Sequence, residues 1–175
     1  HTSSRRQRQM CIRDSRRSKW FTAVEKECKN VKENVGLLDM TAFAKCRIKG
    51  PGAEAFLDKL VANKLPKKSG RINLCHALNT KGGVHSEFTI MRESEASFYL
   101  VSAGAYQRLD HDWILRWMPD DGSVQFENLT NSNGVLVVAG PKARELMCRV
   151  SKDDFSNDNF KSVSYTHLRA HETNV

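Results

Sequence analysis

A Gly-Gly pair set between two strand-forming runs constrains this chain more than any other feature. Leu78-Asn79-Thr80-Lys81-Gly82-Gly83-Val84-His85-Ser86-Glu87-Phe88-Thr89-Ile90 reads as strand, turn and returning strand, because glycine adopts the backbone conformations that reverse a chain within a few residues. The predicted strands cover residues 71–78 and 84–91, and residues 98–103 supply a third antiparallel partner. The period of two along a strand then puts Glu87 and Phe88 on opposite faces of the sheet.

The rest of the chain alternates helix and strand. From residue 18 to 34 apolar side chains recur at Phe21, Val24, Cys28, Val31 and Val35, a helical spacing that predicts one buried face, with Gly36 as its stop. Residues 44–49 alternate Cys46 and Ile48 with Lys45, Arg47 and Lys49, the pattern of a half-buried strand. Pro51 opens a helix with Ala55, Phe56, Leu57, Leu60 and Val61 on its inner face. Residues 65–70 are a loop. Residues 104–118 predict a helix with Leu109, Trp113, Ile114 and Trp117 turned inward, ended by Pro119 and Gly122. Strands at 124–128 and 134–139 and a final helix through Val150 complete the pass. The fold class expected is α+β, a mixed or antiparallel sheet with helices packed on it.

Charge has to be located before it is interpreted. The net charge of +8 would suit nucleic acid or a membrane surface, but seven Lys and Arg stand against one Asp in residues 1–19. Between Trp20 and Val163 there are 20 basic and 18 acidic residues, so the body is almost neutral and nucleic-acid binding is not expected. No apolar run approaches the roughly 18 residues that span a bilayer. Five cysteines at wide, irregular spacing, Cys11, Cys28, Cys46, Cys75 and Cys148, support neither a disulfide framework nor a zinc site. His76, His85 and His111 fall on different elements without a His-x-x-x-His spacing or a nucleophile elbow, so no metal ligand is assigned. No dinucleotide or P-loop fingerprint is present.

Both ends differ from the body. Residues 1–17 and 164–175 are expected to be tails outside the domain, with the domain over 18–163; stretches such as Arg8-Gln9-Met10-Cys11-Ile12-Arg13-Asp14-Ser15 resemble translated sequencing adaptor, and a basic targeting arm is the other reading. On the first reading the chain is an internal piece of a longer protein.

The hairpin and what surrounds it resemble the aminomethyltransferase (glycine-cleavage T-protein) superfamily. The resemblance rests on Trp20-Phe21, Gly36-Leu37-Leu38-Asp39-Met40-Thr41-Ala42-Phe43, Gly50-Pro51-Gly52-Ala53-Glu54-Ala55-Phe56-Leu57-Asp58-Lys59-Leu60, the Gly82-Gly83 hairpin, Phe98-Tyr99-Leu100-Val101, Asp112-Trp113-Ile114 and Val138-Ala139-Gly140-Pro141. It implies the N-terminal part of the T-protein-type folate-binding fold and tetrahydrofolate as cofactor. Glu87 falls where the superfamily often has Asp, and glutamate there is similar to the dimethylglycine and sarcosine dehydrogenase branch. By the same comparison Glu87 is the candidate catalytic residue, and Phe43, Ile48, Leu74, Thr89, Met91 and Val101 fall where the family lines its folate cavity; each is equally what a core needs. Ala103-Gly104 replaces an asparagine of the T-protein. The branch implies a small amine substrate, FAD on a separate domain of the same polypeptide, and the mitochondrial matrix in a eukaryote or the cytoplasm in a bacterium. The alternatives are a non-catalytic interaction domain like that of the pyruvate dehydrogenase phosphatase regulatory subunit, or a glycine-cleavage aminomethyltransferase.

Overall fold

The computed structural model of the chain describes residues 18–162. The expectations for residues 1–17 and 164–175, and Cys11 with them, lie outside the described residues. In order the elements are α1 (Phe21–Glu33), β1 (Gly36–Asp39), β2 (Ala44–Lys49), α2 (Ala53–Leu60), β3 (Ile72–Leu78), β4 (Val84–Ser94), β5 (Ser97–Ser102), a short 3-10 turn (Gly104–Tyr106), α3 (Gln107–Trp117), β6 (Gln125–Asn128), β7 (Leu136–Ala139) and α4 (Ala143–Val150).

Five strands form one antiparallel sheet in the order β3-β4-β5-β2-β6, and β1 pairs with β7 in a separate two-stranded ribbon. This is the α+β class with an antiparallel sheet. Strand β1 has no counterpart in the sequence reading, because Leu37-Leu38 carries no alternation to mark it.

Alternation divides the large sheet into two faces. Cys46, Ile48, Cys75, Ala77, Phe88, Ile90, Phe98 and Leu100 are buried on one side, where Phe56, Leu57 and Leu60 of α2 and Ile114 of α3 pack on them. The inner stripe of α3 differs from the expected one: Ile114 is buried as read, Trp113 only partly, and Leu109 and Trp117 are about half exposed, while Asp110 is buried instead. Residues 110 and 114 are four apart and so share the face that meets the sheet. On α2, Ala55 is exposed. Helix α1 has no buried residue among the thirteen it contains. Its apolar side faces the ribbon, which is too small to cover it.

The two sheets are joined through Lys45, whose side chain has 0% exposure. Its Nζ donates to the carbonyls of Thr41 at 2.7 Å and Phe43 at 2.9 Å, closing the loop between β1 and β2 around it. The backbone of Lys45 exchanges hydrogen bonds with the Thr130 hydroxyl and receives one from the Leu129 N–H. Met40 N–H donates to the Val135 carbonyl, and Val135 N–H donates to Thr41 Oγ1. A buried nitrogen with these acceptors fixes the loop that precedes the site.

Two tests follow from this packing. Lys45→Met keeps the length of the side chain and leaves two carbonyls without a donor, so stability should fall by about 1–3 kcal/mol; a denaturant titration should show a lower midpoint at unchanged slope, and an unchanged midpoint would remove Lys45 from this role. Burial, with a smaller contribution from the Asp110 carboxylate, pushes the Cys46 thiol up to about 12, and burial also raises that of Cys75. Only the thiolate alkylates, so iodoacetamide at pH 8 should label the exposed Cys28 and Cys148 first and reach Cys46 only on unfolding. Peptide mass spectrometry reads this directly, and labelling of Cys46 at the rate of Cys148 would contradict it.

Candidate functional site

The turn between β3 and β4 is built on one asparagine. Asn79 Oδ1 accepts from the N–H groups of Lys81 and Gly83, the Asn79 N–H donates to the Gly83 carbonyl, and Gly82 takes φ +80°, a conformation that side chains resist. This turn fixes the pairing that follows. His76 lies opposite Glu87, Leu74 opposite Thr89, and Thr89 in turn opposite Val101 of β5.

Glu87 therefore stands on the face of the sheet away from the helices, with its side chain 61% exposed. His76 Nε2 lies 3.1 Å from Glu87 Oε2. Asn63 Oδ1, from the segment after α2, accepts from the His76 N–H at 2.8 Å and lies 3.3 Å from His76 Nδ1. An exposed pair of this kind contributes little stability. Its effect is orientation: Oε2 is held, and no hydrogen bond to Oε1 is formed among the described residues.

A cavity of about 360 Å³ opens where β4 begins and β5 ends, and Phe43, Glu87, Thr89 and Val101 all line it, with Ser102, Tyr106 and Asp110. Four of the seven residues singled out in the sequence thus meet in one concavity. Leu74 and Met91 share its sheet face by register but lie outside the cavity; Leu74 is 53% exposed. Ile48 is not among the residues that meet there. It points to the helix side at 0% exposure, because it has the strand parity of Cys46 and not that of Lys45 and Arg47. Phe43 reaches the cavity because the loop around Lys45 carries it there. Gly104 is required at the rim, since a side chain in its place would run into the carbonyl of Ala42.

Farther along the open face Arg47 is clamped by two carboxylates. Its Nε and Nη2 donate to Glu93 at 2.7 and 2.9 Å and its Nη1 to Glu127 at 3.1 Å. The Glu93 hydrogen bonds, foremost, hold this guanidinium more firmly charged than usual. That occupied arginine is unavailable as an anion site.

The sequence reading missed Asn63, His76, His85, Ser86 and Asp110. His76 was within reach of it, because a turn centred on residues 79–83 places 76 across from 87. Asp110 carried no signal, since a carboxylate on a helix is ordinarily read as solvated. Among the described residues no group of three or more His, Cys, Asp or Glu could hold a metal ion, and no helix is long and apolar enough to cross a membrane.

Comparison with known proteins adds the following. The model of the GCVT N-terminal domain matches residues 5–175. The mitochondrial dimethylglycine dehydrogenase of Rattus norvegicus is 36% identical over 155 residues, which are 88% of this chain and 18% of that protein. The mitochondrial pyruvate dehydrogenase phosphatase regulatory subunit of Mus musculus is 31% identical over 146 residues, 82% of this chain and 17% of that protein. The chain thus spans about a fifth of the length of these curated relatives. Among solved structures, the glycine cleavage system aminomethyltransferase T from Bartonella henselae superposes with a TM-score of 0.66 at 21% identity, covering 71% of this chain and 34% of that one. With the family model matching nearly the whole sequence, and a fold that superposes on that of an aminomethyltransferase, the chain belongs to the GCVT N-terminal domain family.

Proposed function

We propose that the cavity at Glu87 is part of a tetrahydrofolate-binding site in a dimethylglycine or sarcosine dehydrogenase-like flavoenzyme. What carries the reading is the coincidence, in one concavity, of a carboxylate with a free oxygen and apolar walls from Phe43 and Val101. Such a donor set suits a flat heterocycle that offers N–H groups along one edge and carbon on its faces. Glu87 Oε1 would accept from the ring or take a proton from its nitrogen, with His76 holding the carboxylate in place. Thr89 supplies a hydroxyl on the same wall. Tetrahydrofolate, when bound, accepts the one-carbon unit as 5,10-methylenetetrahydrofolate.

Membership of the family and 36% identity to a dimethylglycine dehydrogenase support the branch. On this reading FAD and the small amine substrate are handled by another domain of the same polypeptide, and the protein works in the mitochondrial matrix of a eukaryote or the cytoplasm of a bacterium. A second reading, an interaction domain like that of the phosphatase regulatory subunit, is favoured by one observation: Leu37, Leu38 and Leu136 stand more than half exposed on the ribbon.

Glu87→Gln tests the proposal, since it keeps the shape and removes the charge. Affinity for folinate, a stable reduced folate, measured by calorimetry should fall by about 1.5–3 kcal/mol, roughly tenfold to a hundredfold. Oxidation of the amine in the full-length parent should be little changed. Unaltered folinate affinity would return Glu87 to an ordinary solvated strand residue.

A further inference from the structure

The pairing of β3 with β4 contains one irregularity, and it falls next to Glu87. Ala77 lies opposite Ser86 but Leu78 lies opposite Val84, so His85 is left without a cross-strand partner. An inserted residue of this kind re-aims its side chain. In a regular strand His85 and Ser86 would face opposite ways. Here both turn to α3: the His85 ring stacks on Trp113 with centroids 4.0 Å apart and planes at 22°, and Ser86 Oγ donates to Asp110 Oδ1 at 2.7 Å.

The buried end of this chain sets the protonation of the other. Asp110 is 3% exposed and Ser86 5%. A carboxylate can only accept, so the one hydroxyl proton of Ser86 is committed to Asp110. His85 Nδ1 lies 2.8 Å from the same Oγ, and with the hydroxyl proton used, Nδ1 must be the donor. The other nitrogen of the neutral ring, Nε2, is then an acceptor. His85, Ser86, Glu87 and Asp110 all line the one cavity.

We propose that His85 presents Nε2 as a second fixed acceptor in the Glu87 cavity, for an N–H group of the ligand, with Ser86 and Asp110 as positioning residues that set its tautomer. This deepens the folate reading and rests on it. Glu87 and His85 would divide the N–H groups of a heterocycle between them, one a carboxylate held by His76 and the other an imidazole held by Ser86. The stack on Trp113 fixes the plane of the ring, and the hydrogen bond between Nδ1 and Ser86 Oγ selects this orientation over the one turned by 180°, which would put Cδ2 against the hydroxyl.

The test has two arms on this chain. In the first, long-range proton–nitrogen NMR of the neutral imidazoles should show the Nδ1–H tautomer of His85 dominant in the wild type. Ser86→Ala should shift His85 toward the Nε2–H form that free imidazole side chains favour, whereas Asp110→Asn, whose amide oxygen still accepts, should preserve the wild-type pattern. A dominant Nε2–H form in the wild type overturns the relay without recourse to any variant, and so does an Nδ1–H form that survives Ser86→Ala. In the second arm, His85→Ala should weaken folinate binding about tenfold, the loss of one hydrogen bond. Full affinity in His85→Ala beside weakened binding in Glu87→Gln would overturn the role of His85 and leave the folate reading standing. Absence of folinate binding by the wild-type chain would overturn the folate reading and the ligand role together, while the tautomer would still decide the relay.

Discussion

The hydrogen bonds from Lys45 Nζ to the carbonyls of Thr41 and Phe43 are the contact on which the remaining architecture hangs. Burying an amine without acceptors costs several kcal/mol, so the 40–43 loop cannot relax away from it. The same residue is bound through its backbone to Leu129 and Thr130, and the loop is stitched to Val135. One side chain thereby attaches the ribbon to the five-stranded sheet. It also sets the site, because the ring of Phe43, whose carbonyl is one of the two acceptors, forms a wall of the Glu87 cavity.

From that anchor the site follows by strand parity. Residues of β2, β4 and β5 that point to the helices make the core, and their neighbours make the open face. Glu87, Thr89 and Val101 belong to the second set, and Ile48 belongs to the first. The break in register turns the His85 imidazole toward α3, where regular alternation would have placed it on the open face with Glu87.

Much of this was legible in the residues. The strands at 71–78, 84–91 and 98–103, the helix after Pro51 and the opposed faces of Glu87 and Phe88 follow from alternation and from glycine. What was not legible depends on pairing. Nothing in Leu37-Leu38 announces a strand; its partner is a hundred residues away. The apolar spacing of α1 is genuine, yet its face stays uncovered among the described residues, since amphipathicity states what a helix can bury and not whether a surface is present. Asp110 looked solvated because its partner, Ser86, arrives from another element. Ile48 packs in the core, because a correspondence by position does not carry the direction of a side chain.

The ribbon of β1 and β7 has a practical consequence. Two strands of four residues are marginal by themselves, and among the described residues no strand pairs with either outer edge of the ribbon, where Leu37, Leu38 and Leu136 are exposed. Unpaired backbone on an apolar edge is a template for another strand. The neighbouring helix sets Glu25, Glu27 and Glu33 beside Lys26, Lys29 and Lys32, and Asp39 lies on β1 itself, so no charge of a single sign guards that edge. Solution behaviour of the purified chain is therefore governed far from its cavity: with no charge of one sign to oppose it, edge-to-edge association rises with protein concentration, so dilute protein is the state in which the cavity can be studied free of self-association.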